Sequence, residues 1–437
     1  MLLSFTVANI LSFKEAQTLC MSAVSQGKDD ILQDNTFAVA AHADTRLLKS
    51  ALMFGANASG KSNFIRALGV FKDIVLRSQV VLDERESPAK QVIPFLLSQE
   101  TIKHPSVMEV IFYEDGLRYR YGLELQSGKI KGEWLFYTPK VRETLLFERN
   151  GQEIDFNKQG FPEAASFVKA GQVQQTRDNV PFVSMLATQN GTHSMNLVRW
   201  FNRLAIISGT REQGYMGFTA DLMKNDGHFK DWLLELLGHF QIADLKVVEV
   251  ETPEVQLNIP DDEAELHDLL SSLNRFSKKQ KSIELLVTKK VKSEAGEINA
   301  QFPLAFESEG TKKLIHLLGP IYDSIQNKRI LIIDELEAKF HSLLTRYLFR
   351  IYHKKNATGS QLIAAAHDST LMNTQDFRRD QIWFVDKNDQ GSSELYSLVE
   401  FKERARQLKH QYGPDYLAGS FGAVSLFDNF DQIESMM

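Results

Sequence analysis

Cysteine is almost missing from this sequence: Cys20 is the single copy in 437 residues. One thiol closes no internal disulfide, so the expected compartment is a reducing one, the cytoplasm. Apolar runs of about 18 residues are missing too, and no membrane span is expected. The opening Met-Leu-Leu-Ser-Phe-Thr-Val-Ala-Asn-Ile has no early Lys or Arg and no small-residue cleavage site, so it does not read as a signal peptide. Positive charge is not in excess. Lys and Arg number 50 against 56 Asp and Glu, a net charge of −6. Nucleic-acid binding by bulk charge is thereby disfavoured, although a local basic groove stays open. Internal repeats, low-complexity tracts and long heptad runs are absent, which excludes solenoids and coiled coils.

What is present is globular material: 43% hydrophobic residues, 29 of them Phe, in a chain long enough for two or three lobes. Leu2–Ile10 and Ala16–Met21 read as a strand pair, and residues 25–46 as polar loop. Leu47–Phe54 is an apolar strand running into a glycine-rich turn. Asn63 to Leu82 shows helical spacing, with Phe64, Leu68, Phe71, Val75 and Leu82 on one side. Val107–Tyr113, Leu117–Leu125 and Ile130–Phe136 alternate apolar and polar residues around turns at Asp115-Gly116 and Ser127-Gly128, an antiparallel meander. A further hairpin is expected around Asn150-Gly151. Residues 160–240 read as mostly helical. Residues 244–258 and 282–304 read as strands, with a polar helix Asp261–Lys281 between them. The last third alternates strands and helices, as parallel α/β sheets do.

Four segments carry chemistry. Gly55-Ala56-Asn57-Ala58-Ser59-Gly60-Lys61-Ser62 matches the pattern G-x-x-x-x-G-K-S. Glycines let backbone N–H groups close around phosphate oxygens, and the helix that follows points its positive end at them. Lys61 would place its charge on the β- and γ-phosphates, and Ser62 would ligate Mg²⁺. Arg329 to Glu335 is an apolar strand ending in Asp334 and Glu335, at the edge where α/β sheets hold ligands. Asp334 is the expected Mg²⁺ ligand and Glu335 the expected general base. Ser308, Gly310 and Thr311 form a small-residue turn opening a helix, able to offer a hydroxyl and N–H groups to a γ-phosphate. His367 ends the next apolar strand, within reach of the same phosphate if that strand lies beside Asp334.

Together and in this order, the four segments resemble the ABC-type ATPase head of SMC and RecF proteins. More narrowly, they resemble the compact bacterial ATPases related to AbiLi and RloA. Asn9-Ile10-Leu11-Ser12-Phe13-Lys14, the loop Gly55 to Asn63, and the meander from Tyr119-Arg120-Tyr121-Gly122 to Glu133-Trp134-Leu135 carry that resemblance. Tyr416 to Ala423 carries it more loosely. It implies an α/β fold: an ABC-ATPase head with a mixed or parallel P-loop sheet, an antiparallel β subdomain and an inserted helical lobe. The expected division is 1–156, 157–243 and 244–437. Nucleotide would be held by Gly55, Asn57, Ser59, Gly60, Lys61, Ser62 and Asn63, with ATP and Mg²⁺ as ligands.

The resemblance further implies catalysis by Glu335 and His367, and a homodimer, or a higher oligomer of dimers, in which Ser308, Gly310 and Thr311 act in trans. The chain departs from relatives at Leu11, where they often have arginine, and at Ser420. It reads Ser-Glu-Gly-Thr in place of Ser-Gly-Gly, and Ala338-Lys339-Phe340-His341 where they often have Gly-Leu-His. The glutamine that contacts Mg²⁺ in such heads has only weak candidates, Gln91 and Gln99.

The implied function is an ATP-driven sensor and scaffold of anti-phage defence, controlling a separately encoded effector, a nuclease or toxin. Residues 160–240 are the expected docking surface. The rival is a DNA-repair or recombination ATPase of the RecF kind, for which Lys278, Lys279, Lys281, Lys289, Lys290 and Lys292, and the group Lys402, Arg404, Arg406 and Lys409, are the basic candidates. A self-contained nuclease is the weakest reading, since Asp376, Asp380, Asp386 and Asp389 are scattered.

Overall fold

The computed structural model describes residues 1–25, 33–40, 42–174, 176–210, 213–251, 281–293, 296–401 and 412–424. These form two compact units, residues 1–210 with 323–437 and residues 211–322.

The larger unit contains a two-stranded sheet and two large ones. One has six strands in the order Leu204–Ser208, Ile330–Asp334, Gln361–Ala365, Ser50–Phe54, Ile382–Lys387, Ser393–Ser397. The first five are parallel and the last is antiparallel. Ser50–Phe54 is buried along its whole length, as expected of an interior parallel strand. The other sheet has nine strands, antiparallel throughout, and contains both the pair Leu2–Ala8 with Gln17–Cys20 and the meander. Helix Lys61–Arg77 lies between the sheets. Its Phe71 stacks on Tyr121 of the meander with ring centroids 5.7 Å apart, and Phe64 meets Phe5 edge-on at 5.1 Å. Its Gly69 faces the parallel sheet, where an added Cβ would touch Ile206.

A buried ion pair anchors the meander. Glu133 and Arg149 are fully enclosed, 3.3 Å apart. The Glu133 carboxylate also accepts from Tyr121 Oη and from the backbone N–H groups of Phe182 and Val183, at the start of helix Phe182–Thr188. Burial still pushes the Glu133 carboxyl up from the usual range, against the pull of Arg149.

The smaller unit holds helices Gln213–Asn225 and Gly227–Leu237 and a three-stranded antiparallel sheet, Asp244–Glu251, Lys281–Ser293 and Gly296–Pro303. Helix Glu309–Gln326 begins there and contains Pro320. Proline has no N–H for the carbonyl one turn back. That carbonyl, on His316, accepts the Thr219 hydroxyl instead.

Several sequence expectations change. The helix after the phosphate loop ends at Arg77, and Leu82 is 80% exposed, not part of the apolar face. The stretch 25–46 read as loop holds most of the hairpin Thr36–Val39 with His42–Leu48, and Leu47 and Leu48, expected to open the strand Leu47–Phe54, end that hairpin instead. The stretch 160–240 contains Leu204–Ser208, the edge strand of the parallel sheet. The expected lobe 157–243 is accordingly shared between the two units, and 282–304 is a hairpin rather than one strand. The expected helix Asp261–Lys281 lies outside the described residues apart from Lys281, which begins a strand.

Candidate functional site

Parallel strands bring their C-terminal ends to one edge of a sheet, and this edge gathers the expected residues of the larger unit. Ser50–Phe54 delivers Gly55, Ile330–Asp334 delivers Asp334 and Glu335, and Gln361–Ala365, between those two strands, delivers His367. Ser208 stands opposite Asp334 on the other side.

The loop is shaped by two glycines. Gly60 has φ +123°, and a Cβ there would lie 2.3 Å from Ser393 Oγ. A Cβ on Gly55 would lie 2.2 Å from the Val385 carbonyl oxygen. Ala58 takes a left-handed φ of 62° between them. Asn57 and Ser62 are exposed, Asn63 is half-buried, and Ser59 and Lys61 are buried.

The loop is buttressed by groups that spacing alone did not reveal. Ser393 Oγ donates to the Ser59 carbonyl and lies 2.8 Å from Ser12 Oγ, which accepts from Asn63 Nδ2 at 2.9 Å. Left-handed φ values at Asn9 and Leu11 and the Ile10–Phe13 bridge make the tight turn that carries Ser12 there. Only the motif Asn9 to Lys14 hinted at Ser12. No pattern pointed to Ser393, which meets the Ser59 carbonyl across 334 positions of sequence.

Lys61 Nζ donates to the carbonyls of Gly55 (2.7 Å) and Ala56 (3.0 Å). Burial lowers its pKa to about 8, opposed first by Asp334, then by Glu337 and Glu335. The lysine therefore lies in the field of the acids two strands away. Glu337 joins this site although spacing did not single it out. One of its carboxylate oxygens accepts the His367 N–H; the other is buried without a hydrogen-bond partner. Asp334 Oδ1 and Ser59 Oγ are likewise buried and unpartnered. Unsatisfied buried polar atoms are costly unless a ligand meets them. With the glycine cradle, these atoms suit a triphosphate and a hard divalent cation, which takes few protein carboxylates and several phosphate or water oxygens. Among the described residues, no three His, Cys, Asp or Glu side chains group as a metal cage.

Glu335 has φ 56° and is half-buried. The turn is pinned by Gly209, which donates its N–H to the Asp334 carbonyl at 2.6 Å, while an added Cβ would strike the Glu335 carbonyl oxygen at 2.1 Å. His367 is exposed. His341 caps helix Ser342–Lys355. Gln91 closes the short helix Pro88–Gln91; both Gln91 and Gln99 are exposed.

In the smaller unit, the Ser308 hydroxyl accepts the Thr311 N–H at 3.2 Å and lies 2.9 Å from Thr311 Oγ1, opening helix Glu309–Gln326. Ser308 is exposed; Gly310 and Thr311 are half-buried.

Of the basic candidates, Lys278, Lys279, Lys402, Arg404, Arg406 and Lys409 lie outside the described residues. Lys289 is paired with Glu307 at 2.7 Å, and Lys290 and Lys292 are exposed. Asp376 is held by Arg346 and Arg350, Asp380 by Arg378, and Asp386 accepts the Ala423 N–H.

A strand, a glycine-cornered loop and a helix with a lysine facing strand-end acids define a P-loop nucleotide-binding protein of mixed α/β architecture. The family model described as AAA domain, putative AbiEii toxin, Type IV TA system matches residues 50–373, and the chain belongs to that family. No curated protein matches it in sequence. Among solved structures it is similar to the SMC head domain from Thermotoga maritima, at 12% identity over 91% of this chain and 98% of that one, with a TM-score of 0.38. It is also similar to the SmcHead bound to the C-winged helix domain of ScpA, at 12% over 91% and 97%, TM-score 0.45. A third similar structure is the Smc head domain with an extended coiled coil bound to the C-terminal domain of ScpA, derived from Pyrococcus furiosus, at 11% over 93% and 98%, TM-score 0.39. Among the described residues no helix is long and apolar enough to cross a membrane.

Proposed function

We propose that the chain is an ATPase that binds ATP on Gly55–Ser62 and hydrolyses it in a site completed by a second copy. The carrying observation is Lys61, seated in the loop and in the field of Asp334. Ser62 and Asp334 would hold Mg²⁺, which neutralises charge on the β- and γ-phosphates. Glu335 orients and deprotonates the attacking water, and His367 steadies the γ-phosphate from the intervening strand. Ser308, Gly310 and Thr311 of the other copy offer a hydroxyl and a helix N-terminus to the same phosphate. ATP then holds the dimer together and hydrolysis releases it.

The output is a change of assembly. We assign it to sensing and scaffolding in anti-phage defence, with a separately encoded toxic effector as partner. The family description, AAA domain, putative AbiEii toxin, Type IV TA system, supports a two-component setting, although it attaches the word toxin to the AAA domain itself. The second reading, a RecF-like ATPase, draws on Lys290 and Lys292, which stand two residues apart on one strand and are both exposed. DNA binding that weakens steeply with salt, together with DNA-stimulated turnover, would favour that reading.

The composite site is tested by mixing two inactive variants, Lys61→Ala and Ser308→Arg. Random pairing restores one intact site in half of the dimers, about a quarter of wild-type turnover. A mixture as inactive as its parts sinks the in-trans assignment.

A further inference from the structure

In the smaller unit, Gly296–Pro303 is the edge of its sheet, hydrogen-bonded to Lys281–Ser293 alone among the described residues. It alternates Ile298, Ala300 and Phe302 with Glu297, Asn299 and Gln301. Such a pattern normally turns its apolar face to a core. Here every residue except Ala300 is exposed, with Ile298 at 51% and Phe302 at 38%. Val291, opposite Ile298 on the neighbouring strand, is 37% exposed. A long, exposed edge with an apolar stripe is a template for another strand, and no lysine or proline stands between Glu297 and Phe302 to blunt it.

We propose that the occupant of this edge is the same edge of a second copy, paired antiparallel about Ala300 without nucleotide. Strand register argues for this partner. Residues opposite one another across a two-fold axis normal to the sheet must share a face, so their numbers sum to an even value. Centring on Ala300 sets Ile298 opposite Phe302 twice, Asn299 opposite Gln301 twice, and the small Ala300 opposite itself. Glu297, the only charge in the stretch, falls opposite Pro303, so no like charges meet. The contact joins two three-stranded sheets into one of six strands and covers the exposed apolar stripe. Combined with pairing through ATP, it links dimers into larger assemblies, but it does not depend on that pairing.

Sedimentation velocity of the full chain in EDTA, with no nucleotide, tests this. The wild type should run at twice its 49.7 kDa. The Ile298→Lys/Phe302→Lys variant should run as a monomer with unchanged far-UV circular dichroism and unchanged ATP binding. In a Cys20→Ser background, Ala300→Cys should cross-link to itself under mild oxidation. Asn299→Cys should not, because the diagonal places its two copies about 7–8 Å apart, beyond disulfide reach. A monomeric wild type, a variant that stays dimeric, or a dimer in which Ala300→Cys fails to cross-link overturns the proposal. Because sedimentation and cross-linking are read without ATP, failure of the ATP-closed dimer leaves these results distinct.

Discussion

Lys61 Nζ donates to the carbonyl oxygen of Gly55 at 2.7 Å, across the loop that the lysine itself closes. The side chain is folded back onto the loop and buried, which lowers its pKa to about 8. A triphosphate would exchange these carbonyls for charged oxygens, which favour the ammonium form. Binding would then raise the pKa. The sign follows: affinity is full below about pH 8 and falls as pH rises through the unliganded value. ATP affinity, measured by fluorescence without Mg²⁺, should be about tenfold weaker at pH 9 than at pH 7. Lys61→Met should bind far more weakly and lose that pH dependence.

Gly209 offers a separation of binding from turnover. A Cβ there collides with the carbonyl oxygen of Glu335, but the residue lies on the edge strand side and not in the loop. Gly209→Ala should lower kcat at least ~10-fold by shifting the Asp334–Glu335 turn, while ATP affinity stays within about threefold. Equal losses of both would show that the turn does not act on the chemical step alone.

The Glu133–Arg149 pair predicts stability effects without catalytic ones. Glu133→Ala would strand a buried guanidinium and two backbone N–H groups, at a cost of about 3–5 kcal/mol. Urea unfolding measures it. Glu133→Ala/Arg149→Met should recover part of the loss, since the charge left behind is then removed.

Much of this architecture was legible because its signals are local. The glycines of Gly55–Ser62, the apolar run before Asp334, and the turns at Asp115-Gly116 and Ser127-Gly128 each depend on neighbouring residues. What escaped depends on distant partners. Leu204–Ser208 reads as part of a helical stretch until Ile330–Asp334 supplies its hydrogen bonds. Ser393 buttresses a loop more than 300 residues earlier in the chain, and Glu337 enters the site only because the adjacent strand brings the His367 amide to it. Leu82 failed for the opposite reason. Its spacing continues the helical pattern, but the chain turns after Arg77 and leaves it in solvent.

The central claim is that ATP on Gly55–Ser62 joins two copies and that Glu335 releases them by hydrolysis. Light-scattering mass measurement of the Ile298→Lys/Phe302→Lys chain, with and without Glu335→Gln and with Mg-ATP, tests it most directly. The edge substitutions remove pairing that needs no nucleotide. With Glu335→Gln, ATP should convert the chain to a stable species of twice 49.7 kDa, with turnover reduced at least ~100-fold. An added Lys61→Ala should return it to a monomer. A Glu335→Gln chain that stays monomeric with ATP, or hydrolyses it at the wild-type rate, would contradict the account.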